Sequence, residues 1–377
     1  MRITPKIETF ARIRVVGVGG SGHNALHRMM QVGIDKVEFI AINTDAQALL
    51  HSKAHKKVHI GRKTTGGLGA GMNPELGRAA AEENSQEIAD AIKNSDMIFI
   101  TCGLGGGTGS GAAPIVAELA KKAGILTVAV VTKPFAFEGA KRREIADRAH
   151  EELKSQVDTI ITIPNDRVLQ IIDKKTPLLQ AFKTVDDVLR QAVTGISELI
   201  TKPGLINVDF ADVRTIMEDA GTALMGIGKG SGENRAVEAA KTAIGSPLLD
   251  MSIDGTKGVL FNITGGKSLS MHEVDEAARY ITKSVDPEAK IIFGAVIDED
   301  MDDEVKITVV ATGFDENGRK KTVDSVTSTV LPEEAEKEPL PKVRKPAFST
   351  KTLEEKQPEE EEQDELDIPA FIRKKMK

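Results

Sequence analysis

The sequence predicts an α/β protein: a parallel sheet with its helices, then one long helix, then a second and smaller α/β region. Three observations predict it. Short apolar runs alternate with amphipathic stretches through the first half, glycine-rich turns follow two of those runs, and a single apolar stripe then continues for about seven helical turns.

The apolar runs are Ile13 to Val18, Val37 to Ile42, Met97 to Thr101, Leu126 to Val131 and Thr159 to Ile163. They are short and unbroken, as parallel strands covered on both faces should be. A polar, glycine-rich segment from Thr64 to Gly77 and the helix-like AAAEENSQEIADAIKN make one crossover. From Thr176 to Thr201, Leu178, Phe182, Val185, Leu189, Ala192, Ile196 and Leu199 recur at three- and four-residue steps, the signature of one amphipathic helix. Lys202-Pro203-Gly204 stops it. The second region reads as helices over Phe210 to Asp219, Asn234 to Ile244 and Glu273 to Ser284. Its strands are expected near Ala223 to Ile227, Val259 to Ile263, Ile291 to Ile297 and Val305 to Thr312.

Composition narrows the function classes. The chain has 377 residues, 40% of them hydrophobic, enough for two packed domains. With no Trp, Tyr280 as sole tyrosine and 12 Phe, packing must be aliphatic, and base stacking on a nucleic acid is a poor prospect. A net charge of -7 points the same way. The lone Cys102 excludes an intramolecular disulfide and suggests a reduced cytosolic compartment. No signal-like start and no 18-residue apolar run occur, so a soluble, cytoplasmic protein without a transmembrane anchor is expected. Pro332 to Leu366 holds 12 acidic and 6 basic residues with five prolines, a disordered acidic linker by composition. The tip DIPAFIRKKMK is apolar and cationic, as a docking peptide would be.

The run GLGGGTGSG, Gly103 to Gly111, follows an apolar strand and leads into a helix-like stretch from Ala112 to Ala123. Six glycines in nine residues leave backbone N–H groups uncovered, and the helix behind adds a positive dipole end, so this turn should bind phosphate. Thr108 and Ser110 add hydroxyls. No lysine follows, unlike a P-loop, so phosphate charge must be met by the backbone, Mg²⁺ and distant residues. A second turn, Gly17-Val18-Gly19-Gly20-Ser21-Gly22, satisfies G-x-G-x-x-G, with Asp45 ending the next strand 23 residues later. Alone it reads as a dinucleotide fingerprint, and an NAD(P)-dependent oxidoreductase is the runner-up. Two helix N-termini at one crevice, with a third glycine segment at Gly66 to Gly71, instead suit a triphosphate. The histidines are scattered; His51, His55 and His59 have ligand-like spacing but cross a charged loop, and no metal site is expected.

These residues place the chain in a family. GGGTGSG (105 to 111), INTDAQAL (42 to 49), VTKPFAFEGAKR (131 to 142), GLINVDFADVRTIM (204 to 217) and DIPAFIRKK (367 to 375) together strongly resemble the FtsZ family, the bacterial tubulin-like cell-division GTPases. The resemblance runs from about residue 12 to 316, plus the tail end. Ser21 and His23 depart from it, since the family usually carries Gly, Ala or Asn there. It implies an N-terminal arm (1–11), a Rossmann-like parallel-sheet GTP-binding domain (12–175), a central helix (176–201), a C-terminal α/β domain (202–316), the linker (317–366) and a partner-binding peptide (367–377).

What the resemblance implies about sites follows. GTP or GDP is held by Gly20, Ser21, Gly22, His23, Asn24, Thr44, Ala70, Gly71, Gly107, Thr108 and Gly109 around the phosphates. Glu138 lies at the ribose, Arg142 at the phosphate and ribose side, Asn165 and Asp186 at the guanine edge, and Phe182 stacks on the base. Read from its place in the apolar stripe, Phe182 fits a core position equally well. Mg²⁺ is held mainly through the phosphates. Asp209 and Asp212 position the attacking water on the GTP of the next subunit, with Asn207 steadying their loop; read as residues alone, Asp209 caps a helix and Asp212 sits in its first turn. A helix of 26 residues would hold those aspartates about 39 Å from the glycine turns. The implied product is a head-to-tail filament, the division ring at the septum. Asp367, Ile368, Pro369, Phe371, Ile372, Arg373 and Lys374 would recruit FtsA-like or ZipA-like membrane-tethering partners, with assembly regulators acting on the polymer. A non-hydrolysing nucleotide-gated scaffold stays open as a third reading.

Overall fold

The computed structural model describes residues 11–314, apart from 35, 171, 174, 203, 207, 248–251 and 300. The linker, the terminal peptide, Asn207 and the arm up to residue 10 lie outside the described residues.

The first half alternates as the sequence suggests. In order come β1 (Ile13–Val18), α1 (Gly19–Val32), β2 (Val37–Asn43), α2 (Ala46–His51), β3 (Lys56–His59), α3 (Pro74–Glu83), α4 (Ser85–Ile92), β4 (Met97–Gly103) and α5 (Gly107–Lys122). Then follow β5 (Leu126–Lys133), a 3-10 turn at Ala136–Glu138, α6 (Ala140–Gln156), β6 (Thr159–Pro164) and the short α7 (Asn165–Val168). The long helix is α8 (Leu178–Thr201). Beyond it lie α9 (Phe210–Met217), β7 (Gly221–Ser231), α10 (Arg235–Ile244), β8 (Gly258–Gly265), α11 (Met271–Thr282), β9 (Lys290–Ile297) and β10 (Glu304–Thr312).

Among the described residues, ten strands form one sheet in the order β3-β2-β1-β4-β5-β6-β7-β10-β8-β9. β1 to β6 pair in parallel, β7 joins β6 in parallel over three residues, and β10 alone runs antiparallel to its neighbours. Side chains of a strand alternate between faces. In β4, Met97 and Phe99 join the core beneath α1 and α8, while Ile98, Ile100 and Cys102 join the core beneath α3 to α6. A third core packs α10 and α11 against β8 and β10.

The short α2, β3 and α7 are not expected from the sequence, and β7 runs beyond the expected Ala223 to Ile227; three further differences have a clear physical reason. The crossover helix is broken in two at Asn84, whose Oδ1 accepts the Gly61 N–H at 2.8 Å and whose Nδ2 donates to Glu87. The long helix begins at Leu178 because Pro177 serves as its N-cap residue; its 24 residues span about 36 Å. The helix after the second glycine turn begins at Gly107, inside the glycine run, so three of the six glycines are helical. A Cβ on Gly111 would stand 2.0 Å from the Pro74 carbonyl oxygen, and one on Gly77 2.3 Å from that of Gly107. Those glycines let α3 and α5 touch backbone to backbone.

Candidate functional site

The strand order 3-2-1-4-5-6 reverses direction between β1 and β4, and the crevice beyond the carboxyl ends of strands at such a reversal is where open α/β sheets bind ligands. A cleft of about 510 Å³ lies there. Its floor is Gly20, Ser21 and Asn24 from α1, with Gly103, Leu104, Gly106, Gly107, Thr108 and Gly109 from the turn into α5. Asn43 and Asp45 at the end of β2, and Gly69, Ala70 and Gly71, make one wall; Thr132, Pro134, Glu138, Arg142 and Asn165, then Phe182, Val185, Asp186 and Leu189 of α8, make the other.

The N-termini of α1 and α5 both open on this space. Neither has a side chain capping it: Val18 and Gly106 occupy the N-cap positions without a side-chain hydrogen bond. The first four N–H groups of a helix have no partner within the helix, so two uncapped ends facing one cleft form a concentrated anion site. Gly20 and Gly106 have open space where a Cβ would stand, and both face the cleft. Ser110, by contrast, is buried and its Oγ accepts the Gly105 N–H at 2.9 Å; it holds the turn from within.

Other groups are held ready. Asn43 is 3% exposed; its Oδ1 accepts the Asp45 N–H, and its Nδ2 has no partner. Asn165 is 7% exposed and its Oδ1 has no partner. Buried polar atoms are seldom left unsatisfied, and these two point to a ligand that completes them. Phe182 is 41% exposed, with an edge-on contact to Phe135 at 5.5 Å, so the stripe position that fitted a core residue instead presents its ring at the cleft. Burial pushes the Asp186 carboxyl up to about 6, against the opposing pull of Arg28 at 3.6 Å.

Three carboxylates line the cleft and each has a protein partner. Asp45 accepts from Gln47 N and Ala48 N at the start of α2. Glu138 pairs with Arg142 and accepts from Phe135 N. Asp186 pairs with Arg28.

Asp209 and Asp212 are elsewhere. Asp209 caps α9 by accepting the Asp212 N–H at 2.8 Å, and the Asp212 carboxylate is exposed. α8 leaves the cleft and ends where Lys36, just before β2, reaches the Thr201 carbonyl. At the other end of α9, Arg214 donates to Gly124 O before β5, and the Met217 carbonyl accepts from Thr159 at the start of β6. Both ends of the segment that carries the aspartates therefore sit at the amino edge of the sheet, opposite the cleft.

Of the other expected binding residues, Gly22, His23 and Thr44 do not line the cleft. Gly22 packs on the Thr101 carbonyl. Thr44 is fully buried, its hydroxyl 2.7 Å from that of Thr108. His23 has a buried Nδ1 without a partner, and burial lowers its pKa. Asn43 and Asp45 line the cleft although the sequence reading chose only Thr44 between them. The signal was there: they follow a parallel strand next to the reversal point.

Fold and cleft together define a nucleotide-binding α/β protein with a phosphate site made of backbone turns and no P-loop lysine. The profile described as Tubulin/FtsZ family, GTPase domain matches residues 12–173, and that of the FtsZ family, C-terminal domain matches residues 221–315. Two solved structures of M. jannaschii FtsZ, an empty dimer and a tryptophan-to-tyrosine mutant, are each 51% identical at a TM-score of 0.78. They cover 81% of this chain and, respectively, 89% and 92% of theirs. CetZ2 from Haloferax volcanii, at 20% identity and a TM-score of 0.69 over 82% of this chain and 95% of its own, shares the fold. The chain belongs to the tubulin/FtsZ family. It is thus a GTPase-family cytoskeletal protein whose nucleotide is GTP or GDP, and the dinucleotide reading of the first glycine turn falls away. Among the described residues, no helix is long and apolar enough to cross a membrane.

Proposed function

We propose that this chain polymerises with GTP into head-to-tail protofilaments of the cell-division ring, in the cytoplasm beneath the inner membrane, and hydrolyses GTP only where two subunits meet. The observation that carries this reading is the division of labour between the two edges of the sheet. The cleft has anion donors in plenty, but each of its three carboxylates already has a protein partner and two of them serve the ribose and the base, whereas the exposed Asp212 lies at the opposite edge. A group on one face acting on a pocket on the opposite face makes a heterologous contact that propagates as a filament. Exposed apolar side chains mark both faces: Leu68, Phe137 and Leu179 around the cleft, and Leu205 near the start of α9.

In this reading the turns at Gly20 to Asn24 and Gly107 to Gly109 hold the phosphates, with Ala70 and Gly71 closing over them. Thr44 steadies Thr108 and Gly22 lets α1 approach β4. His23 stands behind this shell. Glu138 meets the ribose and Arg142 the phosphate side. Asn165 Oδ1 and the Asp186 carboxylate are acceptors, matching guanine's N1–H and 2-amino donors, which adenine lacks. Phe182 stacks on the base. Because Asp45 is engaged with α2, a Mg²⁺ ion would be held chiefly by phosphate oxygens, and it would add positive charge where negative charge develops. Asp209 and Asp212 of the next subunit orient water, and Asn207 steadies their loop. The terminal peptide, Asp367 to Lys374, docks FtsA-like or ZipA-like partners through Ile368, Pro369, Phe371 and Ile372, aided by Arg373 and Lys374.

The test is right-angle light scattering with phosphate release in the same cuvette. GTP should raise scattering, and release should climb faster than linearly with protein concentration. Release strictly proportional to protein would overturn the assembly requirement; assembly without release would favour a scaffold. Removing residues 367–377 should leave both signals and abolish co-pelleting with partner-bearing vesicles.

A further inference from the structure

One side chain joins the two glycine turns. Ser21, in the first turn of α1, accepts the Gly103 N–H at 2.8 Å. A Cβ on Gly103 would stand only 2.5 Å from Ser21 Oγ, so glycine there is what lets the turns come together. A serine hydroxyl has two acceptor lone pairs and one proton to donate. Gly103 takes one lone pair, and the proton has no acceptor among the described residues. Ser21 lines the cleft between the uncapped ends of α1 and α5. Asn43, only 3% exposed, lines the same cleft with an unpartnered Nδ2.

We propose that the Ser21 hydroxyl is a phosphate ligand: it donates its proton to a phosphate oxygen of the bound nucleotide while its oxygen holds Gly103 N–H. The inference rests on the GTP reading of the cleft. It gives Ser21 two tasks that a glycine or alanine cannot perform. The N–H to O–H to phosphate chain is polarised in one direction, so the Gly103 bond strengthens the donation. The same link fixes the distance between the two helix ends, which makes the anion site rigid before nucleotide arrives.

The experiment titrates the full chain, Ser21→Ala, Ser21→Gly and Ser21→Thr with GTP, GDP and guanosine in turn. Loss of a hydrogen bond to a charged oxygen should weaken GDP and GTP by about tenfold in the Ala and Gly variants. Guanosine, which has no phosphate, should bind them as it binds the natural chain, and that binding also certifies an intact cleft. Ser21→Thr keeps the hydroxyl and should recover most of the loss. Unchanged GDP and GTP affinity in Ser21→Ala overturns the proposal. So does an equal loss for guanosine, the mark of a mere structural prop. If the natural chain itself fails to bind GTP, the function proposed above falls, an outcome seen before any variant is made.

Discussion

The two edges of the central sheet are built in contrasting ways. At the carboxyl edge, groups from seven segments of chain converge on one cleft, with Asn43 Nδ2 and Asn165 Oδ1 buried and without a partner. At the amino edge, Asp209 and Asp212 sit on one short helix whose own cap needs Asp209, and Asp212 faces outward. One edge gathers its polar groups into a cleft whose carboxylates already have protein partners; the other presents an exposed carboxylate on a helix. On the function proposed above, binding and turnover should be separable by mutation, because the cleft and the exposed aspartate lie about a strand's length or more apart, which for the eight residues of β5 is about 26 Å.

The largest effect expected is on turnover. Asp212→Ala should bind GTP normally yet release phosphate at least about a hundredfold more slowly, the lower range for a lost proton-handling group. Asp209→Ala should do the same and also destabilise α9 by about 1 kcal/mol through loss of the cap, seen as a lower unfolding midpoint. Mixing decides whether the aspartate acts on a neighbour. A subunit with Asp212→Ala and one with a disabled cleft should together regain turnover, since one of their junctions pairs intact halves. No recovery in the mixture would place the aspartate in its own subunit's chemistry.

The carboxyl edge should break next, through packing. Gly111→Ala puts a methyl 2.0 Å from the Pro74 carbonyl, and no flexible side chain is there to yield. About 1–3 kcal/mol of stability should go, with weaker GTP binding because α5 is displaced. Urea titration of the nucleotide-free chain checks the first and a binding isotherm the second. Gly33→Ala, where open space surrounds the position but φ is +79°, should cost less and leave GTP affinity intact.

How far the sequence foretold this can be judged on those same glycines. The strands announced themselves as apolar runs because parallel strands are covered on both faces, and the two turns announced themselves as glycine clusters between strand and helix. The division of the Gly103 to Gly111 run into exposed cradle and buried helix contact was not legible. Gly111 meets α3, more than thirty residues earlier in the chain, and composition says nothing of that contact. Phe182 shows the same limit from the other side. Its spacing fits the α8 stripe, and only the tertiary position of the first turns of α8, beyond the sheet edge, turns that ring toward the cleft. Asp186 was chosen by resemblance; its raised pKa arises from burial that no local pattern reveals.

That carboxyl sharpens the comparison by pH. Its acceptor form should be half lost near pH 6, so GTP affinity should fall about tenfold by pH 5. Asp186→Asn should flatten this dependence while weakening GTP at pH 7.5. Stability moves the opposite way. The folded pKa of about 6 lies above the ordinary 3.8, so the stabilisation is complete below 3.8 and is lost as pH rises through 6. The Asn variant without nucleotide should therefore gain stability relative to the natural chain above pH 6, on the order of 1–2 kcal/mol after allowing for an unpaired Arg28. Equal melting temperatures at pH 7.5 would count against a strained, buried carboxylate.

The smallest effect on nucleotide handling should come from a pair distant from both edges' chemistry. Arg235, only 7% exposed, joins α10 to α11 through Glu273, which also accepts from Ser270 in a capping box. The Arg235 hydrogen bond, and after it Ser270, hold the Glu273 carboxyl down to about 2 despite the opposing effect of burial. Its contribution is present above the ordinary 4.5 and fades as pH falls toward 2. Arg235→Leu should lower stability at pH 7 by about 2–3 kcal/mol, because it strands the Glu273 carboxylate, and the deficit should shrink on acidification. GTP affinity should stay at the natural value, since neither residue lines the cleft. A change in GTP affinity in this variant would mean that the α10–α11 layer communicates with the glycine turns, and that the two edges are less independent than their construction indicates.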